Sequence, residues 1–284
     1  MIPAEFDYVR AGSVDEAVSA LRESGDDAKV MAGGQSLIPL LRLRLAYPSV
    51  VVDVGRVSEM RGVREDGEHL VIGAMTTHYE VIHDPLIREH AGLIAEATET
   101  VADPAVRHRG TFGGSLAHAD PAGDLPAVAL ALGAEFVVAG SGGRRTVAAA
   151  DFFVDYLQTA IEADEVLVEV RVPKLGAGWC YRYEKFHRVA QSWAIVGVAA
   201  AVRRDNGSIV EARVALTNMG ATPVRAAGVE EALAGASLDA IATASERAAE
   251  GASPPSDLNG KADYREHLAR VLTRRAVTAA AGRS

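Results

Sequence analysis

The sequence predicts an α+β protein in two parts, a mixed helix-and-strand region followed by a C-terminal antiparallel sheet with helices. Three observations carry this expectation. Apolar strand-like runs alternate with helical periodicity up to "EVLVEVRVP" (165–173). Three strand signals then follow one another across 179–186, 194–204 and 209–220 with no helix between them. Helical patterns close the chain, from "AGVEEALAG" onward.

The elements follow in order. In "SVDEAVSALRES", Ser13 and Glu16 have capping-box spacing, and Val14, Ala17, Val18 and Leu21 share one helical face. Gly25 suits the stop. "AKVM" (28–31) reads as a short buried strand running into "AGGQSL". "LIPLLRLRL" is helical, with Pro39 in its first turn, and "SVVVDVG" (49–55) is a second buried strand. The order repeats more loosely in "HLVIGAMTTHYEVI", a strand, a hydroxyl-rich turn and a helix start. "LIAEATETVA" is a helix ended by Asp103-Pro104, and "PAVALAL" (126–132) is an apolar helix. "AEFVVAG" and "RRTVAAADFF" are strands about a glycine-rich hairpin, and Pro173 ends the strand before it. Beyond that point "DNG" (205–207) is a hairpin turn. "LDAIATASERAAEG" and a segment from about 261 are helices, the last with Tyr264, Leu268, Val271, Leu272 and Ala276 on one stripe. A domain boundary is therefore expected near residue 175, giving domains 1–175 and 176–284, the first with lobes of about 1–57 and 58–175.

Composition narrows the function. Of 284 residues, 49% are hydrophobic and 24% charged, the profile of a globular chain. The formal net charge is −9 with no basic block, which argues against nucleic acid as a partner. "IPAEFDYVRAG" carries no secretory pattern and no apolar run reaches bilayer length, so a cytoplasmic location is expected. One cysteine, Cys180, cannot form an internal disulfide, a four-cysteine zinc site or an iron–sulfur cluster.

The chemistry gathers in two glycine loops, "AGGQS" (32–36) and "TFGGS" (111–115). Paired glycines beside hydroxyls let successive backbone N–H groups converge on an anion, and a following helix adds its positive end. Neither loop fits GxxxxGK[ST] or GxGxxG. Two such loops in similar strand–loop–helix settings suit a ligand with two phosphates held between two lobes; a pair of tight turns is the plainer alternative. Ser115, His118 and Asp120 look triad-like, but "GGSLAHAD" is not a GxSxG elbow. A metal held by His118, Asp120 and Asp124 would lack rigid support in this loop. Asp124 is either a hydrogen-bond acceptor for a ribose or adenine edge or the N-cap of the helix that follows.

"AGGQSLIPLLRLRL", "IGAMTTHYEV", "VADPAVRHRGTFGGSLAHADPAGDLPAVALALGA" and "ADYREHLARVLTRRAV" together resemble the FAD-binding medium subunits of molybdenum hydroxylases, closest to the carbon monoxide dehydrogenase medium-chain group. The likeness spans nearly the whole chain. It implies a two-lobed FAD domain of the kind shared with vanillyl-alcohol oxidase, then an antiparallel sheet with helices. It implies non-covalent FAD, with Ala32, Gly33, Gly34, Gln35 and Ser36, and Thr111, Phe112, Gly113, Gly114 and Ser115, at the pyrophosphate and its neighbouring groups. It places Asp124 near the adenosine ribose, the backbone at Leu167 at the isoalloxazine edge and Lys185 at the pyrimidine end of the flavin, a solvated strand residue being the alternative for Lys185. One departure stands at Ser192 and Trp193, where relatives commonly carry an acidic residue and an aromatic or small one. Trp193 either covers the flavin ring or is a core or rim residue. No catalytic residue and no metal ligand is assigned to this chain.

The implied task is electron transfer. A small partner subunit would hold [2Fe–2S] clusters and a large one molybdopterin, the three doubled into a heterohexamer. The flavin would hand electrons to a quinone, NAD or oxygen, and a quinone acceptor would bring the assembly to a membrane periphery. The rivals are a self-contained flavin oxidase of the vanillyl-alcohol type and a scaffold subunit without FAD. Valine at Gly33 or Gly114 is expected to abolish FAD binding by filling the phosphate space and resisting positive φ.

Overall fold

The computed structural model describes residues 2–282. The first layer is a three-stranded parallel sheet of β1 (Asp7–Arg10), β2 (Ala28–Met31) and β3 (Val50–Asp53), with β3 in the centre. Helix α1 (Val14–Ser24) joins the first two strands and α2 (Leu37–Leu43) the next two. Ser13 caps α1 by accepting from the Glu16 N–H at 3.1 Å, and Gly25 ends it at φ 65°. Val14, Ala17, Val18 and Leu21 are buried as their spacing predicts. The sequence reading omits β1, because "DYVR" is exposed along its length and offers only parallel pairing to Val50–Asp53 as a signal.

The second layer is a five-stranded antiparallel sheet. Strands β4 (Val63–Asp66) and β5 (His69–Gly73) form a hairpin at one edge. Six helices follow before the chain returns: α3 (His78–His83), α4 (Pro85–His90), α5 (Gly92–Glu99), α6 (Pro104–Arg107), α7 (Phe112–His118) and α8 (Asp124–Leu132). Then β6 (Glu135–Gly140) and β7 (Gly143–Ala148) make a hairpin at the other edge. Helix α9 (Ala149–Phe152) leads to a small ribbon of β8 (Phe153–Asp155) and β9 (Gln158–Thr159). The long β10 (Val166–Pro173) enters the middle, giving the order β4-β5-β10-β6-β7. Its apolar run reflects this central place, buried from Val166 through Val170.

Several boundaries differ from expectation. "RRTVAAADFF" is strand only to Ala148; it then turns into α9 because Phe152 and Phe153 fold back onto Phe136, at 3.9 Å and 5.7 Å between ring centres. Asp103-Pro104 starts a helix where a stop is expected. The Asp103 carboxylate accepts from the Val106 N–H at 2.9 Å, and Pro104 takes the first helical position. The preceding α5 already ends at Glu99.

A four-stranded antiparallel sheet completes the fold: β11 (Trp179–Phe186), β12 (Val196–Asp205), β13 (Ser208–Thr217) and β14 (Val224–Arg225), in that order. Asn206 and Gly207 both have positive φ, 47° and 84°, the conformation a two-residue hairpin demands. Strand β12 is buried on both faces. Val196, Val198, Ala200 and Val202 point to one core, shared with α10 (Ala227–Leu233), α11 (Ile241–Ser245) and α12 (Ala262–Gly282). Ala199 and Ala201 point to the other, with Tyr183 and Ala215, beneath α5 and α8. Alanines on that face let the two helices approach closely.

The expected helix over "LDAIATASERAAEG" is broken into 3₁₀, α and 3₁₀ pieces. In α12 the buried stripe is rotated from the expected one. Leu268, Leu272 and Ala276 are inside, but Tyr264 is exposed and Arg265, Ala269, Thr273 and Val277 take the core side. A charged residue at 265 disguises that face in the sequence. No described helix is long and apolar enough to cross a membrane.

Candidate functional site

The two glycine loops meet. A Cβ built on Gly33 would stand 2.1 Å from the carbonyl oxygen of Arg109 and 2.9 Å from the Cα of Gly110, so the first loop lies directly on the segment leading into the second. A Cβ on Gly114 would reach within 3.6 Å of the Ala32 methyl. Residues 76 to 82 positions apart thus form one surface, built by the carboxyl end of β2 and the amino end of α7. Of the four paired glycines only Gly34 has positive φ, at 72°. The expectation of positive φ at Gly33 and Gly114 is corrected accordingly: close approach of backbone requires glycine at Gly33, and the Thr111 hydroxyl, 2.6 Å from a built Cβ, crowds Gly114.

The loops differ in what they leave free. Among the described residues, the N–H groups of Gly33, Gly34, Gln35 and Ser36 donate to no protein acceptor, and the Ser36 hydroxyl makes no capping bond. Such N–H groups are donors waiting for an external acceptor. The second loop is largely satisfied within the protein. Phe112 N–H donates to the Thr76 carbonyl at 2.9 Å and Gly113 N–H to the Ala74 carbonyl at 2.9 Å. The Thr111 hydroxyl caps Gly114 N–H at 3.1 Å, and the Ser115 hydroxyl donates to the Phe112 carbonyl at 2.8 Å. The first loop is therefore the donor set, and the second is the wall against which it is held.

Leu167 lies close to that wall. Ala74, whose carbonyl takes the Gly113 N–H, donates its own N–H to the Val168 carbonyl at 2.8 Å. The ladder between β10 and β6 is irregular between Leu167 and Glu169, which releases backbone from pairing at this place. The Leu167 side chain itself is buried in the core.

Asp124 and Lys185 form one buried unit. Lys185 Nζ donates to Asp124 Oδ2 at 2.8 Å and to the Thr100 carbonyl at 3.1 Å, while the Tyr183 hydroxyl donates to Asp124 Oδ1 at 2.7 Å. The two side chains of the ion pair are 3% and 4% exposed. Burial pushes the Asp124 carboxyl above its ordinary range, and the Lys185 ammonium and Tyr183 hydroxyl pull it back. Burial, then the Asp124 charge, holds the Tyr183 phenol well above its usual value, so it stays a donor. The resemblance assigns Asp124 and Lys185 to different ends of FAD, and the fold joins the two side chains in one ion pair. Each Asp124 oxygen accepts from one buried donor, which fixes the carboxylate in place. Asp124 does not cap α8: Gly123 is the N-cap, with no side-chain bond. Lys185 keeps the third of its ammonium protons.

Trp193 is 56% exposed, on the loop between β11 and β12. That loop reaches across to the first domain, where Gln191 Nε2 donates to Asp103 Oδ2 at 2.5 Å. The sequence reading misses Tyr183, Thr100 and Gln191. Tyr183 was detectable, because period-two alternation in "YRYEKF" puts it on the same face as Lys185. His78 is also missed. Its imidazole is wedged against Gly110, and burial, with Arg107 nearby, holds it down at about 4. Among the described residues no cluster of three or more His, Cys, Asp or Glu side chains is placed to hold a metal ion.

Comparison with known proteins follows this geometry. Residues 4–175 match the family described as the FAD binding domain in molybdopterin dehydrogenase, and residues 181–280 the CO dehydrogenase flavoprotein C-terminal domain. The chain is similar to the carbon monoxide dehydrogenase medium chain of Hydrogenophaga pseudoflava, 42% identical over 99% of this chain and 98% of that one. It is 37% identical to the 6-hydroxypseudooxynicotine dehydrogenase complex subunit alpha of Paenarthrobacter nicotinovorans, over 100% and 97% of the two chains. A solved carbon monoxide dehydrogenase from Hydrogenophaga pseudoflava superposes with a TM-score of 0.96 at 44% identity, covering 99% of this chain and 98% of that chain.

Proposed function

The chain belongs to the FAD-binding medium-chain family of molybdenum-dependent dehydrogenases, and from that premise we propose that it is the electron-transfer subunit between a partner's iron–sulfur clusters and an external acceptor. The observation that carries the reading is the first glycine loop, four N–H groups without acceptors among the described residues, pressed by Gly33 against the second. Two adjoining phosphates are the ligand chemistry that such a row of donors fits.

Residues 32–36 hold the pyrophosphate of FAD, and 111–115 set the position of that loop and close its far side. Held by these residues, FAD would supply electron transfer between one redox centre and another. The Val168–Ala74–Gly113 chain of hydrogen bonds ties the released backbone at Leu167 to the same wall, placing it for the isoalloxazine edge. Lys185, anchored by Asp124 and the Thr100 carbonyl, offers its remaining proton and its charge to the pyrimidine end, where negative charge develops on reduction. Asp124 serves as the anchor of that lysine. Trp193, exposed on its loop, would shield the outer face of the flavin.

The domains divide near residue 175. With one cysteine and no described metal cluster, oxidation of the organic substrate or CO belongs to the partners, a small iron–sulfur and a large molybdopterin subunit. The relatives' names include both carbon monoxide and a nicotine derivative, so membership of the family does not fix the substrate, and its choice is assigned to the large subunit. Purification of the chain with its partners tests this. One FAD per chain, released by acid and reducible by dithionite, is expected, with the isolated chain inert toward CO and N-heterocycles. Substrate-driven bleaching by the isolated chain would instead establish a self-contained oxidase, and a colourless intact chain a scaffold.

A further inference from the structure

The strongest unassigned feature is Asn218, the residue after β13. It stands in the left-handed region at φ 62° and is 8% exposed. Its backbone N–H donates to the Pro121 carbonyl at 2.8 Å, in the turn between α7 and α8. Its side-chain Nδ2 donates to the Ala194 carbonyl at 2.7 Å, the residue next to Trp193. The following carbonyl, that of Ile195, is taken by the guanidinium of Arg265, a residue with no exposed surface that is also paired with Asp257 at 2.8 Å. Ile195 N–H in turn donates to the Phe186 carbonyl at 2.8 Å, closing the neck of the 187–194 loop.

Two buried polar side chains from the C-terminal domain thus grip successive carbonyls of one loop. Burying polar groups is unfavourable unless they are paired, and the left-handed backbone at this position restricts it to residues such as asparagine or glycine. The core gains no apolar contact from either bond. What the arrangement fixes is position, because Asn218 is the one described residue bonded both to the Pro121 turn, which leads to Asp124, and to the Trp193 loop.

We propose that Asn218 is a positioning residue of the FAD site, holding the Trp193 loop in register with the turn that leads into Asp124. This rests on the FAD reading above. Asn218→Gly keeps the left-handed conformation and the backbone bond to Pro121 and removes only the grip on Ala194. Asn218→Asp keeps size and conformation but sets an acceptor against the Ala194 carbonyl.

The test uses the full chain in a Trp179→Phe background, where Trp193 is the remaining tryptophan. Two readouts are taken for each variant: the rate of tryptic cleavage after Arg188, followed by mass spectrometry, and the quenching of Trp193 emission by bound FAD. Loss of one hydrogen bond at the neck is expected to open the loop and speed cleavage about tenfold in both variants. Quenching should fall while FAD per chain and overall helix content stay unchanged. Cleavage and quenching equal to the parent in both variants overturn the proposal, as does a change in only one of the two readouts. A parent chain that binds no FAD refutes the FAD reading instead, and the cleavage comparison still reads the grip by itself.

Discussion

Lys185 Nζ lies 2.8 Å from Asp124 Oδ2, with both side chains buried and Tyr183 donating to the other carboxylate oxygen. Their residues come from α8 and β11, 61 positions apart in the chain, so the pair spans the seam between the FAD domain and the C-terminal sheet. Removing one partner leaves an uncompensated buried charge, which costs about 3–5 kcal/mol. Lys185→Met or Asp124→Asn alone should therefore lower the urea midpoint clearly. The double variant should recover much of that loss, because neither charge is then stranded. A double variant less stable than both singles would contradict this coupling.

The first loop yields a second prediction. The Cβ of Gly33→Ala would meet backbone, the Arg109 carbonyl, and no rotamer can relieve that contact. The loop must move off its wall, and FAD content should fall to near zero while far-ultraviolet circular dichroism stays close to the parent. Gly34→Ala differs in kind. Its cost is a left-handed alanine, about 1–2 kcal/mol, plus the Ile38 side chain at 2.7 Å, which can shift. It should retain FAD with weakened affinity. Equal FAD content in the two alanine variants would remove the distinction between close approach and backbone strain.

Much of this was legible in the sequence, and for physical reasons. The α1 cap, the Asn206-Gly207 hairpin and the buried runs of β3, β10 and β12 depend on neighbours in sequence, so local chemistry suffices to find them. The paired glycine loops were visible as a motif. Their direct contact was not, because it depends on how the parallel sheet and α7 are stacked. The same holds for Asp124 and Lys185, whose roles looked separate until the fold put them in one ion pair. Asp103-Pro104 shows the limit at a boundary: the same two residues suit a helix stop and a helix start, and only the bond to Val106 N–H decides.

The cap on the second loop gives a third prediction. Thr111→Val preserves shape and removes the hydroxyl that accepts from Gly114 N–H. A lost N-cap costs about 1 kcal/mol. Because the wall and not the donor set is affected, stability should fall by that amount while FAD per chain stays near one. A complete loss of FAD with unchanged stability would mean that the Thr111 hydroxyl contacts the ligand directly.

His78 gives the dependence on pH. Burial, with Arg107 adding to it, lowers the imidazole from an ordinary value of 6.5 to about 4, and Nδ1 has no protein partner. The folded state thus holds the neutral ring, whereas the unfolded chain protonates it below about 6.5. The unfolded state binds more protons across that interval, so stability falls as pH drops from about 6.5 to about 4 and levels off below. A difference of this size corresponds to roughly 3 kcal/mol. His78→Gln removes the titrating group. Urea midpoints measured from pH 7.5 to 4.5 should decline more steeply in the parent than in this variant, with the gap opening below pH 6.5. Parallel curves would mean that the buried imidazole finds a proton acceptor on opening to water, and that the wedge against Gly110 is looser than its packing indicates.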